Sequence, residues 1–189
     1  MSLVSLVDSN RTDKNTTHSY LPLYDTLLES RRLSAKNVLE VGIERGGSIA
    51  LWNDYFQAAT VYGLDCQSYT ITWDKLKTLD RVRLLNGVDA YTLTTVELFK
   101  TFNIKFDVLI DDGPHTLDSM LFFVSNYSSL LSDTGIMIVE DIPHEDYLPQ
   151  LLTALPPHLR SHATVYDLRP KKNRYDDIVL VVDLTSKMA

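Results

Sequence analysis

The sequence predicts an α/β protein: a doubly wound, mostly parallel sheet with helices on both faces. Short apolar runs such as FDVLI (106–110) and IMIV (136–139) alternate with stretches whose apolar residues fall at helical spacing. Residues 37–65 compress a strand, a glycine turn, a helix and a second strand into one unit ending in Asp65. Two last apolar segments, 163–168 and 178–184, lie close enough to form a hairpin, which adds an antiparallel strand to the sheet.

The 189 residues suffice for one domain with a full core. The lone cysteine, Cys66, excludes an internal disulfide and suits a reducing compartment, so a cytoplasmic setting is expected. No run of 18 apolar residues suggests a membrane span, and the polar start DSNRTDKNTTHS does not read as a signal peptide. A net charge of −7 argues against a nucleic-acid partner, because neutralising phosphates needs clustered Lys and Arg. The one basic cluster, RPKKNR at 169–174, reads as a solvated loop.

Residues 1–36 are expected to form an N-terminal arm and a lid helix, ahead of the main domain at 37–189. By composition, residues 8–19 form a mobile arm, although they bring Asp13, Lys14, His18 and Tyr20 close together. Leu23, Leu27 and Leu28 give the next stretch a helical stripe that could lie across the mouth of a pocket. Val38, Leu39 and Val41 mark the first strand, and Ser48 is a good cap for the helix after the Gly46-Gly47 pair. Thr60 to Leu64 and Arg81 to Leu85 read as strands two and three. Leu93, Val96, Leu98 and Phe99 read as the buried face of the helix that follows, and FDVLI as the fourth strand. A helix over 117–131, a fifth strand at 136–139 and a helix over 147–155 lead to the final hairpin.

A glycine turn after the first strand, with an acid closing the second, builds a nucleoside pocket. Gly42, Gly46 and Ser48 belong to that turn, and Asp65 would take the ribose hydroxyls. The spacing G-x-x-x-G-G does not suit a dinucleotide, and no GKS or GKT of a P-loop is present. A nucleoside without phosphates fits better. Glu40 suits the amino group of a cationic ligand, and S-adenosylmethionine has that charge pattern. Asp89, after the third strand, is a candidate contact for the adenine or the acceptor.

The fourth strand ends in Asp111-Asp112-Gly113-Pro114-His115 and the fifth in Glu140-Asp141-Ile142-Pro143-His144. Strand ends of this kind share one crevice. Adjacent carboxylates are costly unless a cation balances them, and Mg²⁺ prefers one or two carboxylates. Asp111 and Asp112 are the expected ligands, with Asp141, Glu140 or Asp89 as a further one. His115 or His144 would take a proton from an acceptor hydroxyl. The alternative is that Asp112 caps the next helix and Asp111 binds no metal.

Laid out this way, the chain resembles the class I S-adenosylmethionine-dependent methyltransferases, and within them the macrolide-sugar O-methyltransferases and the cephalosporin-hydroxylase-like proteins. LEVGIERGGSIALWNDYFQAATVYGLD is similar to that branch's glycine motif, FDVLIDDGPH to FDxxIDDGSH, GIMIVEDI to GGxYVIEDL, and TDKNTTHSYLPLY to a TDK…H-x-Y segment. The resemblance implies a Rossmann-like seven-stranded sheet with an antiparallel last strand. It also implies Mg²⁺-dependent methyl transfer to a hydroxyl, with Glu40, Gly42 and Asp65 on the cofactor and Asp111 and Asp112 on the metal. Pro114 replaces the serine of the signature, and Ser68 and Tyr69 stand where the macrolide enzymes carry an Asp and a His. The acceptor expected is a small hydroxylated molecule, for instance a sugar or glycoside. A homo-oligomer is compatible with the sequence. A binding module that keeps the pocket without catalysis is the other reading.

Overall fold

The computed structural model describes residues 1–68 and 72–185; Tyr69 lies outside them. Seven strands form one sheet: β1 (Asn37–Val41), β2 (Thr60–Asp65), β3 (Val82–Asn86), β4 (Phe106–Asp111), β5 (Leu131–Val139), β6 (Ala163–Asp167) and β7 (Ile178–Asp183). Their order is β3-β2-β1-β4-β5-β7-β6. The pairs from β3 to β5 are parallel, and β7 runs antiparallel to both β5 and β6. The Rossmann-like sheet and its hairpin are therefore as expected. Chain order reverses between β1 and β4, which opens the crevice where ligands bind in such sheets.

The helices are α1 (Leu3–Leu6), α2 (Leu21–Leu28), α3 (Gly47–Tyr55), α4 (Leu93–Thr101), α5 (Leu117–Asn126), α6 (Tyr147–Ala154) and α7 (Arg169–Lys172). Strand side chains alternate between faces. In β1, Val38 joins a core with Tyr24, Leu28, Ile49, Trp52 and Phe56, while Leu39 and Val41 join the opposite core with Val96, Phe99, Met120 and Phe123. α2 and α3 thus cover one face, and α4, α5 and α6 the other.

Several boundaries differ from the sequence reading. Ser48 lies inside α3, whose N-cap is Gly46 at φ 84°. Leu93 and Leu98 are exposed, and Thr95, Val96 and Phe99 form the buried side of α4. The stretch 117–131 splits into α5, a 3₁₀ turn and the start of β5, which is longer than its apolar centre.

The arm departs furthest from its composition. Lys14, His18 and Tyr20 are buried, and the Lys172 ammonium donates to the main-chain carbonyls of Thr16 at 3.0 Å and His18 at 2.7 Å. Polar residues here find acidic and carbonyl partners, which compensates for leaving water. Residues 169–174 are accordingly not only a solvated loop. α2 does not span the pocket mouth; it packs into the core through Leu21, Tyr24 and Leu28.

Candidate active site

The register of the sheet sets the site. Val41 pairs with Leu64 on one side and with Asp111 on the other, so Gly42, Asp65 and Asp112 emerge at the same edge. Gly42 has φ 93°, and a Cβ there would fall 1.8 Å from the Asp112 carbonyl oxygen, so only glycine lets the two chains cross this closely. Asp65 accepts from the amides of Ile43 and Glu44 at 2.9 Å and from Gln67 at 2.8 Å, which fixes the turn.

A cavity of about 570 Å³ opens at this edge. Gly42, Ser48, Asp65, Asp89, Asp112, His115 and Asp141 line it, as do Arg11, Thr12 and Asp13 of the arm. Glu40, Gly46, Asp111 and His144 do not. Gly46 faces Leu76 instead. His144 is exposed, its ring against Tyr147.

Strand parity explains the two displaced acids. Glu40 shares the face of Val38 and points into the core, where Ser48 Oγ donates to it at 2.6 Å and Trp52 Nε1 at 3.1 Å. Burial pushes its carboxyl up to about 7, against the pull of Lys14. Asp111 shares the face of Leu109 and accepts from the Tyr91 hydroxyl at 2.5 Å. Burial raises it to about 7 as well, although that hydrogen bond opposes the rise. Among the described residues, the side chains that converge on one point include Asp112 but not Asp111, whose carboxylate is turned to Tyr91.

The acids that do converge are Asp112 and Asp141, with His115 between them. The three offer ligand atoms within 4.8 Å of one another. His115 Nε2 lies 3.5 Å from Asp141 Oδ2 and 3.8 Å from Asp112 Oδ1, and its buried Nδ1 has no partner. Both His115 and Asp141 have positive φ, at 54° and 53°, a strained backbone that turns them toward each other. Asp112 does not cap α5; Thr116 does. Two carboxylates beside an imidazole suit a divalent cation that keeps water or a substrate hydroxyl in its remaining positions.

Lys14, one of the arm's polar residues, is a cation of the site. Its ammonium pairs with Glu140, with Asp112 at 2.6 Å and with Glu40 at 3.2 Å. Burial opposes its charge, but the acids outweigh that and hold it well above its ordinary value. Burial raises Glu140, which also accepts from Tyr24 at 2.7 Å. His18 contacts Asp177 at 2.6 Å and Asp141 at 3.1 Å, and Tyr20 donates to Asp141. Burial disfavours the charged ring, yet Asp13, Asp141 and Asp177 lift His18 to about 9. The only cue in the sequence was the TDK…H-x-Y pattern.

The sequence profile of the FtsJ-like methyltransferases matches residues 24–152. The chain belongs to the FtsJ-like methyltransferase family. Among characterised relatives, it is 26% identical over 148 residues to 8-demethyl-8-alpha-L-rhamnosyl tetracenomycin-C 2'-O-methyltransferase of Streptomyces olivaceus, covering 74% of this chain and 37% of that one. It is 26% identical over 132 residues to mycinamicin VI 2''-O-methyltransferase of Micromonospora griseorubida, covering 66% and 32%. This FtsJ-like chain thus spans about a third of the length of these relatives. In fold it is similar to the MycE methyltransferase solved with Mg, SAH and mycinamycin VI, with a TM-score of 0.73 at 19% identity over 100% of this chain and 56% of that one. No helix among the described residues is long and apolar enough to cross a membrane.

Proposed function

We propose that the protein is an S-adenosylmethionine-dependent, Mg²⁺-dependent O-methyltransferase whose acceptor is a hydroxyl of a small molecule such as a sugar or glycoside. One observation carries this reading: Asp112, His115 and Asp141 converge in the same cavity as the Gly42 turn and Asp65. Asp65 and Asp89 would hold the nucleoside, whose sulfonium would supply the methyl group. Asp112 and Asp141 would hold the divalent ion, which would lower the pKa of the acceptor hydroxyl. His115 takes the hydroxyl proton at Nε2, the nitrogen nearest the carboxylates. Asp65 keeps the turn in place through three amides and accepts from the ribose with its remaining lone pairs. Because the chain is acidic and Lys172, Arg169 and Arg174 are engaged in ion pairs or arm contacts, an RNA acceptor is disfavoured. The exposed, free Cys66 suits a reducing cytoplasm.

A nucleoside-binding module without transfer is the second reading, favoured by the Lys14 ammonium already lying 2.6 Å from Asp112. The test offers purified protein labelled S-adenosylmethionine and a panel of simple glycosides, with Mg²⁺ or with EDTA. Transfer that needs the metal supports the enzyme, binding of S-adenosylhomocysteine without product supports the module, and the absence of both transfer and binding overturns the cofactor reading.

A further inference from the structure

A nucleoside cofactor with an amino-acid tail needs a partner for its ammonium, and the residue expected to supply it, Glu40, is sealed in the core. Its side chain is 0% exposed; Ser48 and Trp52 donate to its Oε2, and the Lys14 ammonium lies 3.2 Å from Oε1, which has no hydrogen-bond partner but is sealed from the cavity. The tail would lie over the glycine turn, and the wall facing that turn belongs to the arm. A Cβ on Gly47 would come within 2.3 Å of the Arg11 carbonyl, so the arm's main chain rests directly on the first turn of α3.

The cavity's other carboxylates are largely committed. Asp65 holds three amides, Asp89 accepts from the Tyr91 amide, Asp112 is paired with Lys14, and Asp141 accepts from Tyr20. Glu44 stands 74% exposed beside Arg45. Asp13 is different: its side chain is 59% exposed, it lines the cavity, and its nearest cation is His18 Nε2 at 3.5 Å. Arg11 lines the same wall with its guanidinium 4.9 Å above the Trp73 ring, a stacking that leaves its edge N–H groups free to donate. Among the described residues no carboxylate is paired with it. One acid and one guanidinium, two residues apart on a segment anchored by Lys14, His18 and Tyr20, match a zwitterion.

We infer that the arm binds the amino-acid end of the cofactor, Asp13 taking the ammonium and Arg11 the carboxylate, in the place left by the buried Glu40. This rests on the S-adenosylmethionine reading above and names the residues that complete its pocket. The arm is then a working wall of the cofactor site, and ligands lacking the amino-acid end would not sense it.

The experiment is calorimetric titration of the full chain and of Asp13→Asn with two ligands, S-adenosylhomocysteine and 5'-methylthioadenosine, which keeps the nucleoside and thioether but lacks the amino acid. The expected result is a loss of roughly ten- to hundredfold in S-adenosylhomocysteine affinity with 5'-methylthioadenosine affinity unchanged. Arg11→Gln, a change of a partly exposed residue, should show the same selective loss, and it decides the matter if Asp13→Asn does not fold. Equal losses for both ligands, or none, in a parent that binds both would overturn the arm's role alone. A parent that binds neither ligand removes the cofactor reading itself and this assignment with it.

Discussion

The Lys14 ammonium lies 2.6 Å from Asp112 Oδ2, although 98 residues separate the two in sequence. One cation thereby links the arm to the end of β4, and through Glu140 to the end of β5. Removing one partner of a buried ionic cluster leaves uncompensated charge. Lys14→Met should therefore lower stability by about 3–5 kcal/mol, read from the midpoint of urea unfolding. A loss below about 1 kcal/mol would mean the cluster contributes little.

Asp111 and Asp112 should separate cleanly despite being adjacent. Asp112→Asn is expected to abolish Mg²⁺ binding in calorimetry while S-adenosylhomocysteine still binds. Asp111→Asn should leave Mg²⁺ binding intact, because its carboxyl accepts from Tyr91 and does not converge with Asp112, His115 and Asp141. Equal loss in both variants would return Asp111 to the metal site.

His115→Ala should reduce methyl transfer by roughly 10²–10⁴-fold at saturating acceptor, the usual contribution of a positioned base. Cofactor affinity should not change, and His144→Ala should transfer normally. Single-turnover rates of the two variants provide the comparison.

The placement of the strands could be read from the sequence because alternation and apolar runs report burial directly, and the strand ends brought Gly42, Asp65, Asp112 and Asp141 to one edge as expected. The same period of two also carried the information that displaced Glu40 and Asp111, since each lies on the face of an apolar neighbour, Val38 or Leu109. Adjacent acids look like a pair in composition, whereas the direction of each side chain depends on its own position in the backbone. The arm was not legible in this way. Its polar composition resembles that of a chain in water, and only tertiary partners distant in the sequence make burial favourable.

The Arg31–Asp183 pair sets a stability limit in acid. Burial pushes Asp183 up, but the Thr185 hydroxyl and amide and the Arg31 guanidinium, 2.5 Å away, outweigh it and hold the carboxyl below its ordinary 3.8. A carboxyl depressed in the folded state adds stability that is present above its unfolded value and is lost as pH falls through the folded one. Asp183→Asn should cost roughly 1–2 kcal/mol at pH 7, allowing for its partial exposure. The gap between variant and parent should close below about pH 4, and thermal melts across pH 3–7 would show it.

Gly47→Ala should act on the arm alone. Alanine suits the first turn of a helix, but its methyl would collide with the Arg11 carbonyl. Trypsin should then cut after Arg11 faster than in the parent, with the circular dichroism of the helices unchanged. An unchanged cleavage rate would show that the arm can yield without detaching.

Lys172 and Asp177, which hold Thr16 and His18 in place, leave the ribosome more than 150 residues after the segment they secure. The strip bearing Arg11 and Asp13 must wait through synthesis of nearly the whole sheet before its last fastenings can form. Closing so long a loop is slow. The chamber is therefore finished late in folding, and a nascent chain halted before α7 would have the turn, the strand ends and the Lys14 pairs but neither Lys172 nor Asp177 to hold the strip that covers them.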